Sequence, residues 1–213
     1  MTRIKIACIS DTHGAHRSVT IPECDLLLHA GDLTNVGEYD LLRDFNSWGK
    51  SIPLPSTHKL CVAGNHECTL EGKSKEAKDL LPEWTYLQDQ SHTVAGLKIW
   101  GSPWSPEFYP EKWKFQLERG PSAEEFWDVI PEDTDIVVVH GPPHGFGDTV
   151  IQGYPVGCEA LARRLNKVKP RLTVCGHIHH SYGVYESPWG LVVNAAIMTE
   201  EYRPLNSPIV VEL

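Results

Sequence analysis

Five short apolar, β-branched runs, at residues 4–9, 26–30, 60–63, 136–139 and 172–175, are each followed within two residues by an Asp, Asn or His. Runs of that length without polar alternation read as strands buried on both faces, as in parallel sheets. Between them lie segments of helical period, around residues 39–48, 75–81, 123–129 and Glu159–Val168. Strand and helix in alternation argue for an α/β fold. A second texture, at Thr93-Val94, the Ala95-Gly96 turn, 97–100, 182–185, 191–193 and 209–211, suggests hairpins and edge strands. The expected architecture is two packed mixed β-sheets flanked by helices, with residues 1–213 forming one domain.

The bulk properties narrow the partners. Asp and Glu outnumber Lys and Arg by 28 to 19, a formal charge of −9, and no basic run is present to neutralise a phosphate backbone. Duplex nucleic acid is therefore a poor fit. No apolar stretch approaches the roughly 20 residues that span a bilayer, and Met1 to Lys5 leads into a strand without the apolar core of a signal peptide. A cytoplasmic protein without a membrane partner is expected. The six cysteines form no C-x-x-C pair, so they read as reduced core thiols rather than as a disulfide framework or a zinc site.

The polar ends carry the chemistry. Run one ends in SDTH with Asp11 and His13, run two in AGD with Asp32, and run three in AGNHE with Asn65, His66 and Glu67. Run four ends in HG with His140, and run five in GHIH with His177 and His179. Ligands of open α/β sheets bind beyond the carboxyl ends of the strands, which brings these five termini to one crevice. Two carboxylates, an amide oxygen and four imidazoles form a donor set without thiolate, which suits manganese first and iron, zinc or nickel as alternatives. Seven donors exceed what one ion takes and suit two ions sharing a carboxylate.

Plainer roles stand beside these. Asp11 and Asp32 could be turn or cap residues, and His29 reads as packing behind the site. His16, His58, His92 and His180 read as surface or loop residues. Gly31, Gly64, Gly141 and Gly176 sit where a chain leaving a strand turns and could need a positive φ.

Together DTH, GD, GNHE, VVVHG and GHIH resemble the calcineurin-like metallophosphoesterase superfamily. The longer pieces LLLHAGDLT, TDIVVVHGPPHGFGD, KPRLTVCGHIHHSYG and VVNAA resemble the metallophosphoesterase-domain-containing family within it. The resemblance implies one metal held by Asp11, His13, Asp32 and His179. It implies a second held by Asp32, Asn65, His140 and His177, with Asp32 shared. His66 is then the catalytic residue facing a small phosphate-ester substrate, and Glu67 either orients or electrostatically tunes that imidazole or starts a helix. Some animal members carry Gly where this chain has His177.

The implied activity is metal-dependent hydrolysis of small phosphomonoesters or phosphodiesters, cyclic nucleotides among them. A non-catalytic scaffold of the same fold and a protein phosphatase are the alternatives. His144 and Phe146 follow His140 closely enough to reach a substrate, and His144 is the expected substrate-binding residue. The aromatic segment 103–120 either walls the crevice or anchors itself to the core.

Overall fold

A computed structural model describes residues 3–213 of the protein. In chain order the first sheet is laid down by β1 (Lys5–Ile9), β2 (Leu26–His29), β3 (Lys59–Cys61) and β4 (Thr85–Tyr86), all parallel. Helix α1 (Tyr39–Ser51) joins β2 to β3, and α2 (Ser74–Leu80) joins β3 to β4. A hairpin follows, β5 (Gln90–Val94) and β6 (Leu97–Ser102), turning on Ala95 and Gly96 at φ 51° and 78°. Two positive φ angles are what a tight two-residue hairpin turn demands.

The segment after the hairpin contains a small parallel pair, β7 (Ser105–Pro106) and β8 (Gln116–Leu117). Then come α3 (Pro121–Trp127), β9 (Ile136–Val139), α4 (Glu159–Val168) and β10 (Leu172–Cys175). The last strands are β11 (Gly183–Ser187), β12 (Gly190–Asn194) and β13 (Ile209–Glu212). The first sheet runs β13-β1-β2-β3-β4 and the second β11-β12-β10-β9-β6-β5. Both are parallel in the middle and antiparallel at an edge.

Two of the segments expected at edges lie inside the sheet. β6 pairs with β9 and β12 pairs with β10, both in parallel. Each is the returning arm of a hairpin whose outer arm, β5 or β11, takes the edge instead. A hairpin signal names one neighbour and says nothing of the strand on the other side.

Side-chain alternation divides each strand between two cores. Ile6 and Cys8 of β1, with Leu26 and Leu28 of β2, meet Ile136, Val138, Leu172 and Val174 of the second sheet. Ala7, Ile9 and Leu27 point the other way, onto Leu42, Phe45 and Trp48 of α1 and Ala77 of α2. On the far side Val137 and Val139 pack under Trp127 of α3 and Leu161 and Leu165 of α4. The result is helix, sheet, sheet, helix. All six cysteines are free; Cys24 and Cys68 are half-buried rather than core residues. Among the described residues no helix is long and apolar enough to cross a membrane.

The two sheets are stitched together at one end. Ser10, just past β1, bridges in parallel to Ala196, just past β12, and the Ile197 N–H donates to the Ser10 carbonyl at 2.9 Å. Residues leaving either sheet there enter a common space.

Candidate active site

The expected convergence is present. Asp32 Oδ2 lies 3.3 Å from His140 Nε2, 3.7 Å from His13 Nε2 and 3.9 Å from His66 Nε2. Asp11 Oδ1 lies 3.4 Å from His179 Nε2, and Asn65 Oδ1 lies 2.9 Å from His140 Nε2. Two groups, Asp11 with His13 and His179 and Asp32 with His140 and His177, have donor atoms close enough to hold an ion. His13, Asp32 and His66 form a third such group.

The turns that deliver these residues are strained, and the strain falls on the polar residues themselves. Asp11, His13, Asp32 and His177 have φ of 51°, 43°, 54° and 66°. Left-handed backbone at a non-glycine residue costs of order 1–3 kcal/mol and persists only when the surroundings impose it. Here they do: the Asp11 N–H donates to Gly31 O at 2.9 Å and the His13 N–H to Asp32 O at 3.1 Å. The His177 N–H donates to both oxygens of Asp11 at 3.0 Å.

Of the glycines expected to need positive φ, only Gly31 has it, at 100°. Gly64, Gly141 and Gly176 serve close approach instead. A Cβ on Gly64 would stand 2.3 Å from Asp32 Oδ1, one on Gly141 2.7 Å from Ser105 Cα, and one on Gly176 2.0 Å from Asp11 Oδ2. The glycines give the carboxylates room, and the carboxylates take the unusual backbone.

Four imidazoles are fixed in orientation through Nδ1. Nδ1 of His13 donates to Thr34 O at 3.2 Å, that of His66 to Asn35 O at 2.5 Å, that of His140 to Ala30 O at 2.9 Å and that of His179 to Thr199 O at 3.1 Å. A carbonyl only accepts, so the hydrogen is on Nδ1 and Nε2 faces the cluster. The Nε2 of His13 is buried without any hydrogen-bond partner, which is the condition of a nitrogen awaiting a cation.

The charges point the same way. Burial works against ionising Asp11 and Asp32, yet the surrounding histidines hold both carboxyls well below the usual range. No Lys or Arg among the described residues pairs with either. Burial opposes a proton on His140 as well, but Asp32 and Asp11 pull its pKa up to about 9. Burial pushes His13 down to about 4. Buried anions compensated only by imidazoles are a costly arrangement that divalent ions relieve, with release of the His140 proton.

Behind the cluster, Thr12 Oγ1 lies 3.0 Å from His29 Nε2, consistent with the packing role expected of His29. Glu67 starts no helix and does not orient the His66 ring through a direct bond. Fully buried, it accepts from the Thr34 N–H and Oγ1, both at 2.9 Å, and from the Gly64 N–H at 2.7 Å. It ties the loop after β2 to the loop after β3 and makes no bond to His66. His16 is not a surface residue either: it is buried against Phe45 and Trp48 and pairs with Asp44 of α1 at 2.9 Å.

A crevice of about 490 Å³ opens onto Asp32, Asn65, His66, His177 and His179. Segment 103–120 has both of the roles set against each other for it. Phe115 is buried in the core, while Phe108 and Trp113 line the crevice beside His177 and His66. Tyr202 stands over the other end, 5.0 Å from the His13 ring and 5.1 Å from that of His179.

His144 is not brought to this wall. It sits half-buried with Nδ1 3.6 Å from Asp148, whose carboxylate caps the Gly145 and Gly157 N–H groups, and the loop reaches the crevice through Val150, Tyr154 and Val156. Arg119, which carried no sequence signal, lines the crevice while donating to the Gly157 and Val156 carbonyls. Asn194, from the VVNAA piece, reaches the carbonyls of Gly147, Gly176 and Ile178 and so secures the GHIH loop.

The family model described as "Calcineurin-like phosphoesterase" matches residues 4–181, which takes in every strand end that meets at the cluster. The chain belongs to the calcineurin-like phosphoesterase family. Among its relatives in this family, human "Metallophosphoesterase domain-containing protein 1" is 39% identical over 98% of this chain and 71% of its own length. "UPF0046 protein T07D4.2" of Caenorhabditis elegans is 31% identical over 99% of this chain and 60% of its own length. The phosphopantetheinyl hydrolase structure from Mycobacterium tuberculosis superimposes with a TM-score of 0.62 at 13% identity, covering 96% of this chain and 95% of that one. That last likeness is one of fold. Divalent metal use is a property of this phosphoesterase family, and the clustered donors fit it.

Proposed function

We propose that the protein hydrolyses small phosphomonoesters or phosphodiesters, cyclic nucleotides among them, at a centre of two divalent ions, manganese before iron, zinc or nickel. The observation that carries this reading is the pairing of two buried carboxylates with imidazoles, of which His13, His140 and His179 commit their Nδ1 hydrogens to backbone carbonyls. One ion would be held by Asp11, His13, Asp32 and His179, and the other by Asp32, Asn65, His140 and His177. Bound ions of this kind supply Lewis acidity toward the phosphoryl oxygens and a water of lowered pKa.

The chain's own part falls to His66. Its Nδ1–H is spent on Asn35, so Nε2 is the atom left to face the substrate across the crevice. A proton held at Nε2 goes to the leaving-group oxygen as the P–O bond breaks. Beyond the cluster the walls mix apolar and aromatic side chains with Glu107 and Glu200, and among the described lining residues Arg119, the one Lys or Arg, is already engaged with backbone carbonyls, which suits a small ester rather than a polyanion. Six free thiols fit a reducing, cytoplasmic setting.

Hydrolysis and metal content are to be measured together in the native protein, His66→Ala, Asp32→Asn and His177→Gly. His66→Ala should keep its metal and lose about 10²- to 10⁴-fold in turnover. The loss should be greater on an alkyl ester than on p-nitrophenyl phosphate, whose phenolate leaves without help. Asp32→Asn should weaken both ions, and His177→Gly only the second. Loss of metal from His66→Ala would instead make His66 a ligand, as its grouping with His13 and Asp32 would allow. Equal rates from native and variant would favour a non-catalytic scaffold.

A further inference from the structure

The structure assigns to Trp113 the role of positioning residue for His66, an inference that rests on the acid role given to His66 above. A ring held by a single hydrogen bond can still pivot about that bond, and the Nδ1 contact to Asn35 is the only one His66 makes through its side chain as a donor. A flat surface against the ring face removes the pivot. Trp113 provides it: the indole stacks on the imidazole with centroids 4.0 Å apart and planes 28° from parallel. The His13 ring meets His66 edge-on at 4.5 Å and 77°. His66 is thus confined by a face, an edge and a hydrogen bond, with Nε2 turned toward Asp32.

Trp113 is itself registered to the loop it serves. The Lys114 N–H donates to the carbonyl of Asn65, the residue before His66, at 3.2 Å. The Phe115 N–H donates to Glu71 at 2.7 Å, and the Phe115 side chain is buried against Trp104. Gln116 Nε2 donates to the Trp113 carbonyl at 2.9 Å. The segment between β7 and β8 is therefore fastened to the loop after β3 immediately beyond the indole, so that a displacement of that loop carries Trp113 with it.

Trp113 also lines the crevice, so a mere wall for substrate is the rival role, and the two differ in what they couple to. The experiment measures kcat, KM and metal content on p-nitrophenyl phosphate and on an alkyl phosphate ester. It compares Trp113→Leu and Trp113→Phe, each alone and combined with His66→Ala. Misplacement of a reacting group by about 1 Å costs on the order of 10²-fold, so Trp113→Leu should lower kcat on the alkyl ester by up to about that factor. The loss on the phenyl ester should be smaller, with KM and metal content near native. Trp113→Phe, which keeps a ring face, should restore most of the loss. On the His66→Ala background, Trp113→Leu should cost nothing further, because there is no imidazole left to aim.

A rise in KM on both esters with kcat intact, or losses that multiply with those of His66→Ala, would overturn the inference in favour of a wall. If His66→Ala shows the selective loss on the alkyl ester and Trp113→Leu does not, the inference alone fails. If His66→Ala shows no dependence on the leaving group, the acid role is overturned and the inference goes with it.

Discussion

Gly64→Ala is the sharpest perturbation the site offers, because it adds one methyl group and changes no charge, ligand or hydrogen-bonding group. The backbone at Gly64 is outside the left-handed region, so alanine brings no conformational strain of its own. What it brings is a collision: the new Cβ would stand 2.3 Å from Asp32 Oδ1, and 2.7 Å from both the Asp32 nitrogen and His140 Cε1. The first is roughly 1 Å inside ordinary contact. Asp32 has little freedom to retreat, since Oδ1 accepts the His66 N–H at 2.9 Å and its backbone is already at φ 54°.

Overpacking of this sort costs about 1–3 kcal/mol, which for a chain of this size is a fall in melting temperature of about 2–12 °C. The effect on the site should be larger than the effect on the fold. On the proposed two-ion assignment, a shift of about 1 Å in Asp32 would loosen both ions and reduce turnover by on the order of 10²-fold. Thermal unfolding, elemental analysis under titrated manganese and hydrolysis of p-nitrophenyl phosphate measure the three quantities on one preparation. A variant with native metal content and native turnover would refute the claim that Gly64 is there to make room for Asp32.

Glu67→Gln should lose about 1–3 kcal/mol in urea unfolding at pH 5. The single amide oxygen cannot meet both the Thr34 and Gly64 N–H groups, so one buried donor is left over. Burial, with the charge of Asp32, holds the Glu67 carboxyl up at about 8 from an ordinary 4.5. Folding therefore takes up a proton between those values, and stability falls as pH rises through that window; in chelator-treated protein, Glu67→Gln should flatten that slope, and an unchanged slope would count against the assignment. Asn194→Leu strands the Gly147 carbonyl and the Ala196 N–H and releases the Gly176 and Ile178 carbonyls from the side chain that gathers them, and should lower both stability and the affinity of the His177 and His179 sites for manganese, seen by titration calorimetry. Asp44→Ala removes the partner of buried His16 and should lower the melting temperature while leaving metal content alone.

The sequence made the site legible because each donor lies within four residues of the end of a buried strand, and strand ends of a parallel sheet converge whatever the loops do. Asp11, Asp32, Asn65, His140 and His177 could be placed for that reason alone. What it concealed depends on partners far along the chain. Glu67 is explained by Thr34, 33 residues away, and His16 by Asp44, 28 residues away. The stacking of Trp113 on His66 joins a loop to a strand end across an intervening hairpin. The positive φ angles were expected on glycine because glycine adopts them freely. They fell on Asp11, His13, Asp32 and His177, where hydrogen bonds between the loops impose them. His144 was expected at the crevice because it is near His140 in sequence, but its Nδ1 lies 3.6 Å from Asp148, and the loop lines the crevice farther along, through Val150, Tyr154 and Val156.

The contact between His177 and Asp11 spans 166 residues. Neither of the two groups in the proposed assignment can be completed by the first sheet alone, since one needs His179 and the other His140 and His177. At a synthesis rate of about 5–20 residues per second, roughly 10–30 s separate the emergence of Asp11 from that of His179. During that interval the donors of the second sheet are missing, and so is β13, which pairs with β1 at the edge of the first sheet. On the proposed assignment a fully loaded centre is therefore a late event, one that requires both sheets to be complete and closed on each other.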